Sequence, residues 1–179
     1  MANEPQETWI KWVALTTTIL AVCAAIGSLK GGGYSTKVGL LTTQESNKWS
    51  YFQSKSIKQS LIETKKDLLE LELMRSPEAP VKAELEKKIT AATETVARYD
   101  KEKAQIKVEA EKLNADQGEL KVHGGNFGMA VMFFQIAIML SAIGSLLKQK
   151  YAWVIGLVMG AIGLVYFANG FFSFFQLVF

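Results

Sequence analysis

Aromatic and lysine side chains are concentrated in one short stretch, KWSYFQSKSIK, at residues 48–58. Helical spacing divides them between two faces: Lys48, Tyr51, Lys55 and Lys58 on one, and Trp49 with Phe52 on the other. Lysines that share a face bind an anion, an acidic peptide or a lipid headgroup when several subunits bring them into a ring. The alternative is that the aromatic residues pack inside a helix bundle while the lysines are solvated or paired.

Catalytic and metal chemistry has little support in the residue types. The chain contains one cysteine, Cys23, and one histidine, His123, which excludes a disulfide within the chain and a Cys/His metal cluster. His123 is followed by two glycines and lacks the base and orienting group that catalysis needs. We expect no enzymatic activity, no cofactor, and no catalytic, cofactor-binding or metal site.

Charge is unevenly distributed along the chain. The net charge is only +3, which does not suggest a nucleic-acid partner, but the region 34–122 contains 16 of the 20 basic and 15 of the 17 acidic residues. The remainder is nearly uncharged. This split predicts a water-exposed middle region attached to a membrane part.

Three apolar blocks, at 9–29, 127–147 and 151–179, are each long enough to form a helix that crosses a bilayer, for which about 20 residues suffice. The acidic start before the first block predicts a retained anchor rather than a cleaved signal peptide. The third block is oddly long: as one helix it would span roughly 43 Å, against roughly 30 Å of hydrocarbon.

The middle region predicts a helical hairpin. Two arms of equal length, 34–75 and 81–122, flank a proline turn at 76–80. Glycines at 31–33 and 124–125 predict breaks or hinges where the arms meet the membrane, because glycine weakens a helix by about 1 kcal/mol relative to alanine. The predicted organisation is an acidic segment at 1–8, transmembrane helix 1 at 9–30, the hairpin at 31–125, transmembrane helix 2 at 126–147, and transmembrane helix 3 with its aromatic tail at 151–179.

The second arm carries a heptad stripe typical of coiled coils, with a period of 3.5 residues. Its members are Leu85, Ile89, Ala92, Val96, Tyr99, Lys103, Ile106, Ala110, Leu113, Gln117 and Leu120. The first arm has one stripe near its tip, at Ile57, Leu61, Thr64, Leu68 and Leu71, and another near its base, at Val38, Leu41, Glu45, Trp49 and Phe52. These two stripes differ by about a third of a turn, at roughly 100° per residue. We therefore expect the tip stripe to pair within the hairpin and the base stripe to turn partly toward a neighbouring subunit.

Small residues in the third block form a second candidate contact surface. Glycines permit close approach of membrane helices, and the members here are Gly156, Gly160, Gly163 and Gly170. Together with Trp49 and Phe52 we expect them to serve oligomerisation or packing; packing within one chain is the simpler alternative. The blocks contain no acidic residue, which argues against an ion-coupled transporter.

Lysines near the apolar blocks predict the orientation in the membrane. The short link Lys148-Gln149-Lys150 and Lys11 favour the cytoplasmic side under the positive-inside rule, whereas Lys30 and Lys37 oppose it. The predicted topology has a cytoplasmic amino terminus, with the hairpin and the carboxyl terminus outside.

One run of residues resembles a known family. The pattern W-x-Y-F-Q-x-K-x-x-K begins at Trp49, the opening W-x-x-W-V-A-L begins at Trp9, and F-F-Q-I-A-I occupies 133–138. Together with the coiled-coil middle, these resemble an uncharacterised bacterial membrane-protein family described only as a domain of unknown function. The resemblance covers nearly the whole chain and implies a bacterial inner-membrane protein without a known activity.

The expected protein is all-α, with three transmembrane helices and a long antiparallel helical hairpin outside the bilayer. Its expected function is that of a structural or interaction protein that self-assembles as a homo-oligomer through its spans and its coiled-coil stalk, in contact with membrane lipid. Two alternatives stay open: an accessory subunit bound to another membrane protein, and a pore-forming oligomer lined by residues 16–18. The sequence assigns Lys48, Lys55 and Lys58 as the possible contacts to an anion or lipid headgroup.

Overall fold

Long helices make up the regular structure of this protein in a computed structural model that describes residues 8–75 and 78–174. Helix α1 runs over Thr8–Met74, α2 over Ala79–Leu146 and α3 over Lys150–Phe172. Among the described residues there is no strand. The all-α prediction is therefore confirmed.

The chain divides into two units. One unit combines Met1–Gly39 with Gln117–Phe179 and contains parts of all three helices; we call it the three-helix unit. The other is Leu40–Asp116, in which α1 and α2 pair; we call it the hairpin unit.

The three helices are each long and apolar enough to cross a membrane, with mean hydropathies of 1.9, 2.0 and 1.9 in their most apolar windows. The core of the three-helix unit is small: Leu20 of α1 packs with Ala130, Phe134 and Ala137 of α2. Many large apolar side chains remain on the outside of this unit, including Leu15, Ile19, Met139, Val158 and Val165, each at least half exposed.

The predicted breaks at the glycine clusters are wrong. Residues 31–33 lie inside α1, residues 124–125 lie inside α2, and no described glycine has a positive φ. A Cβ added to Gly31 would lie 3.3 Å from the Phe127 Cβ, and one added to Gly124 would lie 3.3 Å from the Tyr34 Cβ. At these two positions α1 and α2 approach closely, and that packing offsets the low helix propensity of glycine.

The turn between the hairpin arms is shorter than predicted. Helix α1 ends at Met74 and α2 begins at Ala79, so Pro80, expected in the turn, lies in the first turn of α2. Proline is tolerated there because the first amides of a helix have no partner within the helix. Two further residues of the predicted turn, Ser76 and Pro77, lie outside the described residues.

Helix α3 is shorter than the apolar block that predicts it. It ends at Phe172, and Ser173 follows with φ 49°, its amide donating to the Asn169 carbonyl oxygen at 2.8 Å. The last part of the predicted aromatic tail, residues 175–179, lies outside the described residues.

Candidate functional site

In the second arm of the hairpin unit, the side chains that face inward are those that the heptad predicts. Leu85, Ile106 and Ala110 are buried, at 5%, 6% and 0% exposure. The other stripe residues between 85 and 113 are half-buried: Ile89, Ala92, Val96, Tyr99, Lys103 and Leu113. The sequence therefore identified this inward face of α2 correctly.

The prediction for the tip of the first arm is wrong. Its stripe points outward: Ile57 and Leu61 are each 68% exposed, Leu68 is 61% exposed and Leu71 is 56% exposed. Thr64 in the middle is exposed as well. We call Ile57, Leu61, Thr64, Leu68 and Leu71 the exposed stripe. An apolar heptad thus lies on the outside of the most highly charged part of the chain.

The inward face of the first arm instead continues the stripe that begins at its base. Its buried or half-buried members are Leu41, Glu45, Phe52, Gln59, Ile62, Lys66, Leu69 and Leu73. Because two stripes a third of a turn apart cannot both meet one partner helix, only one of them is covered within the hairpin. Sequence reasoning missed this face because the polar Gln59 and Lys66 interrupt it; the apolar spacing of Ile62, Leu69 and Leu73 is the signal that reveals it.

Gln59 makes one polar contact across the hairpin and one within its own helix. Its side chain is buried, at 8% exposure, and its Nε2 donates to the Glu63 Oε1 at 2.8 Å and to the Asp100 Oδ1 at 3.1 Å. The bond to Asp100 favours this register of the paired helices, because a shift of α2 along α1 would remove it.

Two of the three lysines proposed for an anion ring are already paired inside the hairpin unit. The Lys48 Nζ lies 2.5 Å from the Glu109 carboxylate, and the Lys55 Nζ lies 2.7 Å from the Glu102 carboxylate. Lys58 is exposed and makes no ion pair among the described residues. The structure does not bring these lysines together as three free positive charges.

Lys55 has the more enclosed environment. Its ammonium lies 5.2 Å from the ring centre of Tyr51 and 5.3 Å from that of Tyr99, within the range of cation–π attraction. The Glu102 carboxylate, with a smaller contribution from Tyr51, raises the pKa of Lys55, and Lys55 in turn lowers the pKa of Glu102. Both groups are therefore charged around neutral pH.

Trp49 and Phe52 contact residues of the hairpin unit itself. Their rings meet edge to face at 5.7 Å, and the Trp49 indole N–H donates to the Glu45 Oε1 at 3.2 Å. The Lys103 ammonium lies 5.8 Å from the ring centre of Phe52. Trp49 stays 39% exposed, so part of the indole is free for another contact.

The four glycines of α3 are packed against their own chain. A Cβ on Gly156 would lie 2.9 Å from the Ala137 carbonyl oxygen, and one on Gly160 would lie 3.1 Å from Leu20. Gly163 and Gly170 meet the Phe134 and Phe127 rings, where an added Cβ would approach to 2.7 and 2.9 Å. This face of α3 is covered within the three-helix unit and is not available to a second copy.

His123 belongs to an aromatic cluster in the three-helix unit. Its ring stacks on Tyr34 at 5.2 Å, and its Nδ1 lies 2.9 Å from the Gly170 carbonyl oxygen, to which the Nδ1–H tautomer donates. The ring is half-buried. Among the described residues, no group of three or more His, Cys, Asp or Glu side chains is placed to hold a metal ion.

A family model described as "Domain of unknown function (DUF4337)" matches residues 9–173. The chain belongs to this family. The DUF4337 match includes all three helices, the exposed stripe and the glycines of α3. The search of curated proteins and the search of solved structures found no match. The membership therefore identifies the domain without assigning it an activity.

Proposed function

We propose that this DUF4337 protein is a membrane-anchored interaction protein that self-associates through the exposed stripe of its hairpin unit. The single observation that carries the proposal is the outward position of Ile57, Leu61, Leu68 and Leu71. The three-helix unit is the membrane anchor in this proposal, and the hairpin unit is the part in water.

The surface of the three-helix unit supports the anchoring role. Its outward side chains are aliphatic over most of the length of each helix, while several of its buried positions are glycines, Ser141 and Asn169. Lipid accommodates such an apolar exterior, whereas in water it would be a large unfavourable surface. Small and polar residues between helices are typical of packing in membranes.

The spacing of the exposed stripe supports helix pairing as the contact. Its five residues follow one another at intervals of 4, 3, 4 and 3, which is the a/d pattern that interlocks with a matching helix. The Ser54 and Arg75 positions that continue this pattern are polar, so the stripe ends at Ile57 and Leu71 and covers about two heptads.

A second copy of the chain is the partner that matches this surface. Two identical stripes have the same repeat, so their side chains interdigitate over the full length of the contact. The stripe is flanked by charges of both signs, Lys58 and Lys65 with Asp67 and Glu72. An antiparallel pair that sets Ile57 of one copy against Leu71 of the other brings the lysine-bearing end of each stripe beside the acidic end of its partner, so the charges are complementary.

The mass of the complex after gentle extraction from its native membrane tests the proposal. We expect a closed multiple of the 19.8 kDa chain. The variant Leu61→Glu/Leu68→Glu should raise the dissociation constant about 100-fold or more, since each leucine contributes roughly 1.5–3 kcal/mol when buried. Val108→Glu is the matched control, because Val108 is 66% exposed on the other arm and lies outside the stripe.

Three outcomes separate the alternatives. A monomer in the unaltered protein, or equal dissociation of the stripe variant and the Val108→Glu control, would contradict self-association through the stripe. A second polypeptide at constant ratio would instead make this chain an accessory subunit, and the stripe the surface on which that partner docks.

A further inference from the structure

Aromatic and lysine side chains meet at one end of the three-helix unit, where α1 begins and where α2 is linked to α3. The Trp9 and Trp153 rings lie 6.2 Å apart, and the Lys150 ammonium lies 6.0 Å from the ring centre of Trp9. The Trp153 indole N–H donates to the Thr16 Oγ1 at 3.3 Å, which fixes the orientation of that ring. The cluster is thus built by side chains from two helices.

Two open clefts border this cluster. One, of about 570 Å³, is lined by Thr8, Trp9, Trp12, Lys150 and Trp153. The other, of about 730 Å³, is lined by Lys148, Gln149, Lys150, Tyr151 and Val154. Lys150 lines both, so it is the residue that the two clefts share.

The backbone of the link presents Lys148 and leaves amides at the start of α3 uncapped. Lys148 follows the end of α2 in the left-handed conformation, with φ 55°, and the Gln149 amide closes the turn onto the Gly144 carbonyl oxygen at 2.9 Å. Gln149 is the N-cap of α3 and makes no side-chain capping hydrogen bond. The first amides of α3 therefore add partial positive charge beside the two lysines.

The surrounding sequence supplies few acidic residues to neutralise this end. Lys11, Lys148 and Lys150 are all exposed, and the segments 8–39 and 120–174 contain no acidic residue. The acidic residues nearest in sequence, Glu4 and Glu7, lie outside the described residues. An aromatic cleft beside lysines is the chemistry that recognises a phosphate attached to an apolar tail.

We propose that this cleft binds the headgroup of an acidic phospholipid. Lys148 and Lys150 contact the phosphate, and the Trp9 and Trp153 rings pack against the glycerol and the upper acyl chain. The inference rests on the proposed membrane anchoring but not on the proposed self-association.

The test uses the full chain reconstituted in vesicles of phosphatidylcholine with a minor share of phosphatidylglycerol. Lipids retained on the protein after mild detergent extraction are quantified by mass spectrometry. We expect enrichment of phosphatidylglycerol in the unaltered protein. Lys148→Gly/Lys150→Gln should reduce the enrichment by about fivefold per lysine. The Lys148→Gly change also suits the left-handed backbone, so the link keeps its conformation.

Two further variants distinguish binding at this cleft from general electrostatic attraction of the acidic lipid: one removes the same charge elsewhere, and one leaves the charge unchanged. Lys37→Gln/Lys121→Gln removes the same charge from exposed positions, and Lys37 lies roughly 40 Å along α1 from Trp9. This variant should keep the enrichment. Trp153→Leu keeps every charge but removes one of the two rings that pack against the lipid, and it should lower the enrichment.

If both double lysine variants lose the same amount of phosphatidylglycerol enrichment, or if Trp153→Leu keeps it in full, the lipid is attracted by charge alone and the proposal is overturned. Displacement of the lipid by added inorganic phosphate would make free phosphate the ligand and would also overturn it. Each variant is checked for resistance to carbonate extraction and for the mass of its complex. If anchoring and mass are unchanged while enrichment is absent, only the lipid site fails and the proposed function stands.

Discussion

At the scale of single residues, the Lys55–Glu102 pair links the stability of the hairpin unit to pH. The carboxyl has a lowered pKa, so its contribution to folding is present above the usual carboxyl range and is lost as pH falls through the lowered pKa. The ammonium has a pKa raised above its usual 10.5, so its contribution is lost only as pH rises through that higher value. The pair therefore stabilises the hairpin at and around neutral pH.

This predicts the behaviour of Glu102→Gln. The variant should melt at a lower temperature than the unaltered protein at neutral pH. The difference should shrink as the pH falls from the usual carboxyl range through the lowered pKa of Glu102, because only below that pKa is the carboxyl protonated in both states. Thermal unfolding in mild detergent across this range measures it. Glu86→Gln is the control, because Glu86 is exposed on the same helix and makes no ion pair among the described residues. A pH-independent difference for Glu102→Gln would contradict the assignment.

At the scale of elements, helix contacts in the three-helix unit depend on which glycines face a neighbour. A Cβ at Gly156 would lie 2.9 Å from a backbone oxygen of α2, which cannot move without shifting the helix, whereas Gly32 has nothing within 4 Å. Gly156→Ala should destabilise the unit by about 1–3 kcal/mol through overpacking. Gly32→Ala should stabilise α1 by up to about 1 kcal/mol through helix propensity.

Unfolding of both variants in mild detergent measures the difference between them. The same substitution, glycine to alanine, is expected to lower the free energy of unfolding at position 156 and to raise it at position 32. Equal effects at Gly156 and Gly32 would show that propensity alone acts, and that the close contact between α2 and α3 does not constrain residue 156.

At the scale of the whole molecule, the predicted topology places the hairpin outside and the link at 148–150 in the cytoplasm. In a Cys23→Ala background, Glu78→Cys should react with a membrane-impermeant thiol reagent in intact cells. Gln149→Cys should react only after permeabilisation. Both positions are exposed in the structure, so access to the reagent depends on the side of the membrane. The reverse pattern would invert the topology, and reaction of both in intact cells would contradict the anchoring proposal.

The sequence alone determined the helical class, the three apolar segments and the inward face of α2. The first two follow from local composition. The third follows from the heptad repeat, because no other face of the second arm has comparable apolar spacing. The apolar spacing from Leu85 to Leu113 therefore predicted which side chains of the second arm face inward. The end of α1 and the start of α2 were also close to prediction, because the prolines between them restrict the backbone.

Only the tertiary structure decided which face of α1 is covered. The first arm carries two stripes that are both suitable for pairing, and local spacing cannot choose between them; the choice follows from the register with α2, in which Gln59 reaches Asp100. The same reason applies to the glycines: propensity predicted breaks at 31–33 and 124–125, whereas close packing of Gly31 and Gly124 keeps both helices continuous. The aromatic and lysine residues near positions 9 and 150 are distant in sequence, and only the fold brings them into one cleft.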